Sequence, residues 1–490
     1  MYAHPRCFPL RGWSCSLPRQ ERKREHRIPP GGPSEAFHPT RRVATGPPEL
    51  PVIGQAFRLR RDFIGLLREA STYGDISTLS VNPVTICLTN APELNREVLV
   101  THHQTVSRGQ TSSRVFRWLL GNGVATCDFS DHVAQRRLLQ PQFHRRYVEN
   151  YSQSMTEIAA RRAEVWTDGM TLDIEQEMRE LALQVIVKIL FGTDQSDMVG
   201  HLGRAFAEAN DYIYLRLTQP PALRGYLHNL PLPSSRRFQR AKAFVDGIVY
   251  QMIRERRESD QTYADLLWLL LQAKYEGEEG EDAARMSDEQ VRDEVVTLYF
   301  AGHDTTAAAL TWTLFLLSHN PAVEARFHAE LDEVLDGRPP AMADLPHLPL
   351  TDQIVTESLR LYPPLWALGR MAYEPVSIGG FRIPPGVTVM TCPVVTHRDP
   401  RWFEQPDDFR PQRWTEEFRQ QLPRFAYFPF GGGPSQCIGE RIAWMEMKIL
   451  LATLCQRWRF RHDLKHKAEM LPRVTLLPKG GMPATVERRR

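Results

Sequence analysis

The stretch FPFGGGPSQCIGE at residues 428–440 decides the fold, because it places a single cysteine at the end of a glycine-rich loop. Apolar residues with helical spacing follow at once, from Ile442 to Leu450. A loop that leads into a helix directs backbone N–H groups and the positive end of the helix dipole at Cys437, which lowers a thiol pKa and favours the thiolate. Three consecutive glycines, which have no Cβ, let the backbone approach a large flat group. We therefore interpret Cys437 as a ligand of haem iron, with an ordinary buried cysteine beside a glycine turn as the alternative.

The loop resembles the haem-binding loop of the cytochrome P-450 family, in which Phe, Gly, Cys and Gly recur at fixed spacing. Phe430, Gly433, Cys437 and Gly439 occupy those positions. The resemblance implies that Cys437 is the axial thiolate ligand of haem b (iron protoporphyrin IX) and that Phe430 contributes to binding the cofactor. Ser435 stands where the family has Arg or His, which pairs with a haem propionate, so that contact must come from elsewhere or be lost.

Composition limits the classes of function. The chain has 490 residues and is 42% apolar, which is enough for a large core, and its net charge of +3 gives no reason to expect nucleic acid as a partner. The seven cysteines are an odd number without paired spacing, so we expect neither a disulfide framework nor a zinc site, but a reducing, cytoplasmic compartment. No apolar stretch reaches the roughly 18 residues of a membrane-spanning helix, so we predict a soluble, bacterial-type monomer without a transmembrane anchor.

Two parts of different composition make up the chain. Residues 1–45 carry nine Arg or Lys against three Glu, several prolines and little periodicity, so we predict a disordered tail. An Arg-rich targeting segment and an extension upstream of the true start are the alternatives. Residues 46–490 carry the resemblance, which implies one mainly α domain with the cytochrome P-450 fold. That fold is a large helical domain with small β-sheets, with haem between the long central helix and the helix after the cysteine loop.

Helical patterns dominate the middle of the chain, and short strands flank them. A hairpin is predicted from residues 76–81 and 84–88, and further β segments are predicted at 376–390 and 472–487. The longest predicted helix begins with a cap at Asp288 and should be central and buried. The predicted helices cover residues 173–192, 202–216, 236–257, 261–274, 289–319 and 321–335.

The long helix carries the stretch AGHDTT at residues 301–306. Glycine costs a helix interior about 1 kcal/mol relative to alanine, and Asp and Thr are poor helix residues, which indicates either a functional site or a structural kink. Ala301 and Thr305 share a face, the glycine leaves room for a small ligand, and an acid beside an alcohol offers a short proton path. The stretch resembles the oxygen-activation motif of the family. The resemblance implies that Thr305 positions dioxygen and a water molecule, and that Asp304 relays protons.

A basic pair lies on a predicted helix within residues 121–144. His132 and Arg136 are four residues apart, so both can reach a single carboxylate, although a solvated helix face is the alternative. The region resembles the helix that crosses one haem edge in the family, and Arg370 matches another propionate-binding position. The resemblance implies that all three side chains hold the haem propionates, and we hypothesise that together they compensate for Ser435.

A second charged pair has a structural interpretation. Glu357 and Arg360 are three residues apart on a helix and can form a salt bridge, which on a surface would contribute little. Together with the stretch FRPQRW at residues 409–414, they resemble the Glu-x-x-Arg helix of the family and the Arg that completes its network. The resemblance implies that Glu357, Arg360 and Arg413 brace the haem loop from behind.

These motifs predict a haem-dependent monooxygenase that inserts one oxygen atom from O2 into a hydrophobic small molecule of the fatty acid or terpenoid/carotenoid class. The predicted pocket walls are apolar and aromatic and include Phe116, Trp118, Phe206, Ala301 and Met482. Electrons are expected from a separate ferredoxin- or flavodoxin-type donor with its reductase. A peroxide-driven or rearranging haem-thiolate enzyme is one alternative, against which the intact acid–alcohol pair argues. A haem sensor without turnover is the other.

Overall fold

The computed structural model describes residues 44–50, 54–81, 84–108, 110–193, 196–274, 285–463 and 468–489. The predicted disordered tail at residues 1–45 lies outside the described residues except for its last two positions. All described residues belong to one compact unit.

Helices make up most of the described chain, as the sequence predicted. In chain order they are α1 (Ala56–Arg61), α2 (Phe63–Ser71), α3 (Pro92–Arg96), α4 (Gln110–Leu120), α5 (Phe129–Leu139), α6 (Arg145–Glu164), α7 (Ile174–Phe191), α8 (Ser196–Leu217), α9 (Pro221–Asn229), α10 (Pro233–Glu258), α11 (Leu266–Gln272), α12 (Asp288–Ser318), α13 (Pro321–Leu335), α14 (Pro349–Leu361), α15 (Pro393–Thr396), α16 (Glu416–Gln421) and α17 (Glu440–Arg457). Short π or 3-10 helical turns occupy Glu97–Thr101, Gln140–Phe143, Met342–His347, Pro411–Arg413 and Gly433–Ser435.

The strands are short and form small sheets. They are β1 (Ile76–Val81), β2 (Val84–Thr89), β3 (Val106–Ser107), β4 (Thr171–Asp173), β5 (Leu368–Ala372), β6 (Val376–Ile378), β7 (Phe381–Ile383), β8 (Thr388–Thr391), β9 (Trp458–His462), β10 (Met470–Pro472), β11 (Leu476–Pro478) and β12 (Pro483–Arg488). The largest described sheet has the order β1-β2-β8-β5-β3, and smaller sheets pair β4-β12-β9, β6-β7 and β10-β11. Strands β2 and β8 run parallel, whereas the other described strand pairs are antiparallel.

Helix α12 is the buried centre of the fold and packs against α7, α10, α14 and α17. The predicted bounds are confirmed to within a residue at each end, but the cap is Ser287 rather than Asp288. The Ser287 hydroxyl accepts from the Gln290 N–H at 3.2 Å, and the Gln290 side chain accepts from the Ser287 N–H at 2.9 Å. This reciprocal pair satisfies two donors that a helix start otherwise leaves free. Asp288 then occupies the first turn, where its charge suits the helix dipole.

Elsewhere the prediction and the structure differ in extent. The predicted helix at 261–274 is shorter, because the Asp265 carboxylate caps the helix by accepting from the Trp268 N–H at 2.8 Å. The predicted β segment at 472–487 is divided by turns into parts of three strands. Helix α6 was not predicted from a helical pattern, since its buried positions are separated by many polar residues. None of the helices in the described part of the chain combines the length and apolar composition needed to cross a membrane.

Candidate functional site

The cysteine loop is a closed turn at the entrance to α17. The Cys437 N–H donates to the Phe430 carbonyl at 3.0 Å, which joins the two ends of the loop. Gly431 and Gly433 have φ values of +73° and +68°, a region that favours glycine. A Cβ on Gly433 would lie 2.1 Å from the Leu99 carbonyl oxygen. These two glycines are therefore required by the turn and by a close backbone approach, in addition to any approach to a flat ligand.

Cys437 lies at the end of this loop, and two residues separate it from the start of α17 at Glu440. Its side chain is accessible, yet burial raises the pKa of the thiol to about 11, and the Glu440 charge raises it further. The Gly439 N–H and the Arg136 charge act in the opposite direction but do not outweigh burial. Burial thus opposes the thiolate that the helix start is expected to favour. A sulfur that is accessible and yet largely surrounded by protein would be ionised by a bound metal cation.

The middle of α12 carries two side chains that the surrounding protein leaves partly uncovered. Ala301 is exposed and Thr305 is half-buried, although most neighbouring residues of this helix are buried. The Thr305 hydroxyl donates to the Ala301 carbonyl at 2.7 Å, and the helix continues without a break. A Cβ on Gly302 would lie 2.8 Å from Cδ1 of Ile186 on α7. The glycine thus permits close packing of α12 on α7, and the accessible surface of this turn lies at Ala301 and Thr305 rather than at Gly302.

Asp304 is turned towards α7 and α8. Its Oδ1 accepts from Arg179 Nη1 at 2.8 Å, and its Oδ2 accepts from Asn210 Nδ2 at 2.8 Å. Nε2 of His303 lies 3.2 Å from Oδ1. Asp304 is buried, whereas the Arg179 side chain is 28% exposed. A proton path from solvent to this carboxylate therefore passes beside Arg179.

A cavity of about 180 Å³ is lined by basic side chains from distant parts of the chain. His132 and Arg370 border it, as the resemblance implied, together with Ser435 and Arg108. Burial, followed by the charges of Arg108, Arg136 and Arg370, lowers the pKa of His132 to about 4. Burial lowers the pKa of Arg370 to about 10, and Arg108 repulsion adds to this effect.

The lining of this basic cavity includes one carboxylate, Asp128, which pairs with Arg117 at 2.7 Å. Among the described residues, no carboxylate forms a salt bridge with Arg108, Arg136 or Arg370, and the buried Nδ1 of His132 has no hydrogen-bond partner. Buried cations without a counterion are costly, so the cavity suits an anionic group. Haem b carries two propionate carboxylates, which would supply negative charge to this cavity when haem is bound to the Cys437 sulfur. The donors in this structure therefore fit haem.

Arg136 does not border the cavity in the way its spacing predicted. It lies on the same helix as His132, but its Nη1 donates to the Gln436 carbonyl of the cysteine loop. Arg136 therefore supports the residue preceding Cys437. Arg108 was missed by the sequence analysis, and its position 24 residues before His132 gives no local signal of its role.

Behind the loop, the Glu357 network has the geometry that the resemblance implied. Arg360 and Glu357 form a fully buried pair with two 2.8 Å hydrogen bonds, and Arg413 Nε reaches Glu357 at 3.0 Å. Two partners were missed. Trp414 Nε1 donates to Glu357 at 2.8 Å, and His397 links Arg360 to the loop at Phe428.

Two other groups of predicted residues differ in their surroundings. Phe430 is half-buried and its ring centroid lies 5.6 Å from that of Trp444 on α17, and its role in binding the cofactor stays a prediction. Phe206 and Met482, predicted as pocket walls, are buried in the core, and Phe206 stacks on Tyr299 with a centroid distance of 3.8 Å. The accessible surface of the long helix instead lies at Ala301.

Comparison with known proteins covers most of the chain. Residues 45–483 match the family model for cytochrome P-450. "Cyclooctatin synthase" of Streptomyces melanosporofaciens is 36% identical over 437 residues, covering 89% of this chain and 94% of the relative. "Cyclooctat-9-en-7-ol 5-monooxygenase" of the same organism is 35% identical, with 88% and 93% covered. "Pentalenene oxygenase" of Streptomyces avermitilis is 34% identical, with 85% and 91% covered.

Among solved structures, the "cytochrome P450DA heme domain" is similar with a TM-score of 0.80 and 26% identity, covering 91% of this chain and 98% of that chain. The predicted fold class is thus confirmed: a large helical domain with small β-sheets around a long central helix. The chain belongs to the cytochrome P-450 family and is a haem-thiolate monooxygenase of that family.

Proposed function

We propose that this monooxygenase inserts one atom of O2 into a terpenoid, using haem b and electrons from a separate protein. The observation that carries the proposal is Cys437, whose accessible sulfur lies at the start of α17 in an otherwise enclosed place. The haem, when bound, supplies the redox chemistry that activates dioxygen. The residues of the chain then hold the cofactor, admit an apolar molecule and manage protons.

Three groups of side chains have distinct tasks in this proposal. Cys437 binds iron, while His132 and Arg370 hold propionates from the basic cavity. The Thr305 hydroxyl, at 2.7 Å from the Ala301 carbonyl, is free to exchange that bond for one to a water molecule on the accessible face of α12. Asp304 accepts a hydrogen bond from Arg179 and relays protons from the other face of the helix.

A terpenoid substrate is supported by two kinds of observation. Relatives are named for oxidation of pentalenene and of cyclooctat-9-en-7-ol, names that denote an alkene and an alkenyl alcohol. The rings of Phe116 and Phe300 lie 6.0 Å apart in an edge-to-face arrangement. Phe300 directly precedes the exposed Ala301 in the chain. Both rings are half-buried, so they offer apolar surface that a hydrocarbon can cover, at about 25 cal/mol per Å² buried. A fatty acid is the second candidate substrate, because the resemblance of the sequence motifs favours both substrate classes equally.

The electron donor proposed is a ferredoxin or flavodoxin with its reductase. The intact pair of Asp304 and Thr305 favours this route over a peroxide-driven or rearranging reaction, which does not need delivered protons. The cytoplasmic location, the monomeric state and residues 46–490 as the cytochrome P-450 domain stay predictions.

The first experiment concerns the sulfur. The reduced protein with carbon monoxide should show the thiolate-type absorbance maximum, and Cys437→Ala should abolish it. Cys455→Ala is the matched control, because that thiol is buried in α17 on the core side and should leave the spectrum unchanged. A native protein that never shows the thiolate-type maximum would overturn the proposal.

The second experiment concerns substrate and electrons. Terpenes, terpene alcohols and fatty acids are screened for the Soret shift that marks displacement of water from ferric haem. A hit is then incubated with NADPH and a ferredoxin–reductase pair, and in parallel with hydrogen peroxide alone. Oxygenated terpenoid from the electron chain supports the proposal. Turnover with peroxide alone at the same rate favours the peroxide-driven alternative, and no product in either case favours a sensor.

A further inference from the structure

Residues 212–245 contain no acidic residue, although the chain as a whole is nearly balanced, with 61 Lys or Arg against 58 Asp or Glu. This basic segment folds into the end of α8, all of α9 and the first half of α10, and a cavity of about 510 Å³ lies where α9 meets α10. We propose that this cavity binds the phosphate or diphosphate group of a small organic molecule. The cations of the segment are Arg216, Arg224, Arg236, Arg237, Arg240 and Lys242.

Two arginines of α10 border the cavity. Arg236 and Arg240 are four residues apart, so they share a face of the helix. Both are exposed, and in the described part of the chain no carboxylate forms a salt bridge with either. The next acidic residue along the helix, Asp246, pairs with Lys242 and Arg292 instead. Two guanidinium groups are therefore available to one anion.

Helix α10 begins at the same cavity. No side chain caps its start, and its first turn holds no acidic residue. The Arg236 N–H donates to the Leu232 carbonyl at 2.9 Å, but among the described residues no acceptor is recorded for the N–H of Ser234 or Ser235. These two donors and the positive end of the dipole of a 26-residue helix favour a negative charge at this point.

A buried cation lies behind the cavity wall. Arg216 is 1% exposed, and its Nη2 donates to Ser235 Oγ at 3.2 Å, which reaches the cavity lining, and to the Leu227 carbonyl at 3.1 Å. Its Nη1 donates to the Gln219 side chain at 3.0 Å, and its Nε has no partner. None of the carboxylates in the described ranges pairs with Arg216. Since a buried cation without a counterion is costly, an anion beside Ser235 would supply the missing negative charge.

His228 offers a hydrogen bond from another side of the cavity. The Tyr212 hydroxyl lies 2.9 Å from its Nδ1, and burial, followed by the Arg216 charge, lowers the pKa of the imidazole, so the ring is neutral at pH 7. With Nδ1 accepting from this hydroxyl, the ring hydrogen is on Nε2, for which the described structure records no partner. Trp118 stacks on the ring at 3.8 Å and holds it in place before a ligand arrives.

The chemistry and size of the cavity select the class of ligand. A phosphate or diphosphate presents several charged oxygens, which match two guanidinium groups, two backbone N–H groups and an imidazole. A volume of about 510 Å³ lies in the range of pockets for small organic molecules and exceeds what an inorganic anion needs. Leu230 and Pro231 add apolar surface, and Asn229 and Gln239 add amide groups, for the rest of such a ligand. The inference goes beyond the proposed monooxygenase activity and does not depend on haem.

The first test is calorimetric titration of the haem-loaded protein with inorganic diphosphate, which carries the recognised group alone. The unmodified protein should show saturable one-to-one binding. Arg236→Gln and Arg240→Gln should each weaken the binding roughly 10-fold or more, because each loses a charge-assisted hydrogen bond. Arg237→Gln is the matched control, because Arg237 is an exposed neighbour on α10 that does not border the cavity, and its affinity should stay within about twofold.

Thermal unfolding separates binding from folding. Without diphosphate all four proteins should melt at the same temperature, because the three arginines are exposed. Diphosphate should raise the melting temperature of the unmodified protein and of Arg237→Gln more than that of Arg236→Gln or Arg240→Gln. Equal shifts in all four proteins would place the anion elsewhere and overturn the proposal.

A third test distinguishes a soluble phosphate from the phosphate of a lipid headgroup. The protein is sedimented with vesicles of phosphatidylglycerol and, separately, of phosphatidylcholine. Saturable diphosphate binding with the expected order of variants supports the proposal. Sedimentation with phosphatidylglycerol alone, lost in Arg236→Gln and Arg240→Gln, together with no saturable binding of diphosphate, would overturn it in favour of a membrane surface. Equal weakening of diphosphate binding by all three substitutions would also overturn it, because it would show a diffuse basic surface rather than a cavity site.

Discussion

Arg360 donates from Nε and Nη2 to the two carboxylate oxygens of Glu357, each at 2.8 Å, and both side chains are fully buried. Arg413 Nε donates to the same carboxylate at 3.0 Å. The remaining nitrogen of Arg360 donates to the His397 carbonyl at 2.8 Å, and the His397 ring accepts from the Phe428 N–H at 2.9 Å. A continuous hydrogen-bonded path therefore joins α14 to the first residue of the cysteine loop.

Glu357→Gln should be severely destabilising, because it removes one charge and leaves Arg360 buried without a full partner. Breaking a buried pair in this way costs about 3–5 kcal/mol. Urea unfolding followed by circular dichroism measures the stability, and the absorbance ratio of haem to protein measures retention. Glu404→Gln is the control, since its side chain is 82% exposed and lies 3.7 Å from Arg410. Equal stability of the two variants would contradict a structural role for the network.

Thr305→Val should uncouple electron use from product formation. The substitution keeps the shape of the side chain and removes the hydroxyl from the accessible face of α12, so product per NADPH should fall roughly 100-fold, the lower range for a positioned proton-transfer group. Substrate affinity, measured by the Soret shift, should change little. Thr311→Val is the matched control, because Thr311 makes the same 2.7 Å bond to the carbonyl four residues before it but is fully buried. The same loss in both variants would show that only helix packing is affected.

Trp118→Ala should speed ligand entry and exit. The rings of Trp118 and His228 stack at 3.8 Å with an interplanar angle of 7°, which joins α4 to α9, and the Tyr212 hydroxyl lies 2.9 Å from Nδ1 of His228. An aromatic pair contributes about 0.5–1.5 kcal/mol beyond its buried area, so both rate constants should rise roughly 2- to 10-fold. Stopped-flow recording of the Soret shift measures them. Trp268→Ala, on distant α11, should leave the rates unchanged, and equal rates in all three proteins would exclude the stack as a barrier to entry.

Glu446→Gln should flatten the pH dependence of stability. Glu446 is buried on α17, and burial raises its pKa to about 8, while a 3.3 Å hydrogen bond from Thr306 partly opposes the shift. Between the usual glutamate pKa and pH 8 the native state holds a proton that the unfolded state has lost. The free energy of unfolding should therefore fall as pH rises through this window, by up to about 1.4 kcal/mol per pH unit.

Urea unfolding at pH 5, 6, 7 and 8 compares the two proteins. Burial likewise raises the pKa of Glu294 to about 8. Glu294 therefore still contributes to the pH dependence of the free energy of unfolding in the Glu446→Gln variant. Glu416→Gln, an exposed substitution on α16, should retain the full slope of the unmodified protein. A Glu446→Gln slope equal to that of Glu416→Gln would contradict the assignment.

Sequence reasoning can name candidate site residues where the chemistry lies in consecutive residues. Phe430 and Cys437 share one short loop, and Thr305 shares a helix turn with Asp304, so their neighbours identify them. Arg108 has no such neighbours. Its importance arises only because β3, α5, β5 and the cysteine loop meet at one cavity, and no spacing along the chain encodes that meeting.

Helical periodicity shows which residues share a face of a helix, but it does not show what each side chain contacts. His132 and Arg136 share a side of α5, yet the longer side chain reaches the Gln436 carbonyl while His132 borders the basic cavity. Gly302 was expected to leave space for a ligand, but the space is taken up by Ile186 of α7. In both cases the packing partner, which the sequence does not specify, decides the role.

The parallel pairing of β2 with β8 has a consequence for biosynthesis. Ile86 to Thr89 find their partners at Thr388 to Thr391, about 300 residues later. At about 5–20 residues per second, a ribosome needs roughly 15–60 s to produce that partner after the first hairpin has emerged. During this interval one edge of the hairpin is available to other nascent chains. Recovery of intact protein from a recombinant host should therefore depend on chaperone supply and on slow, cool expression.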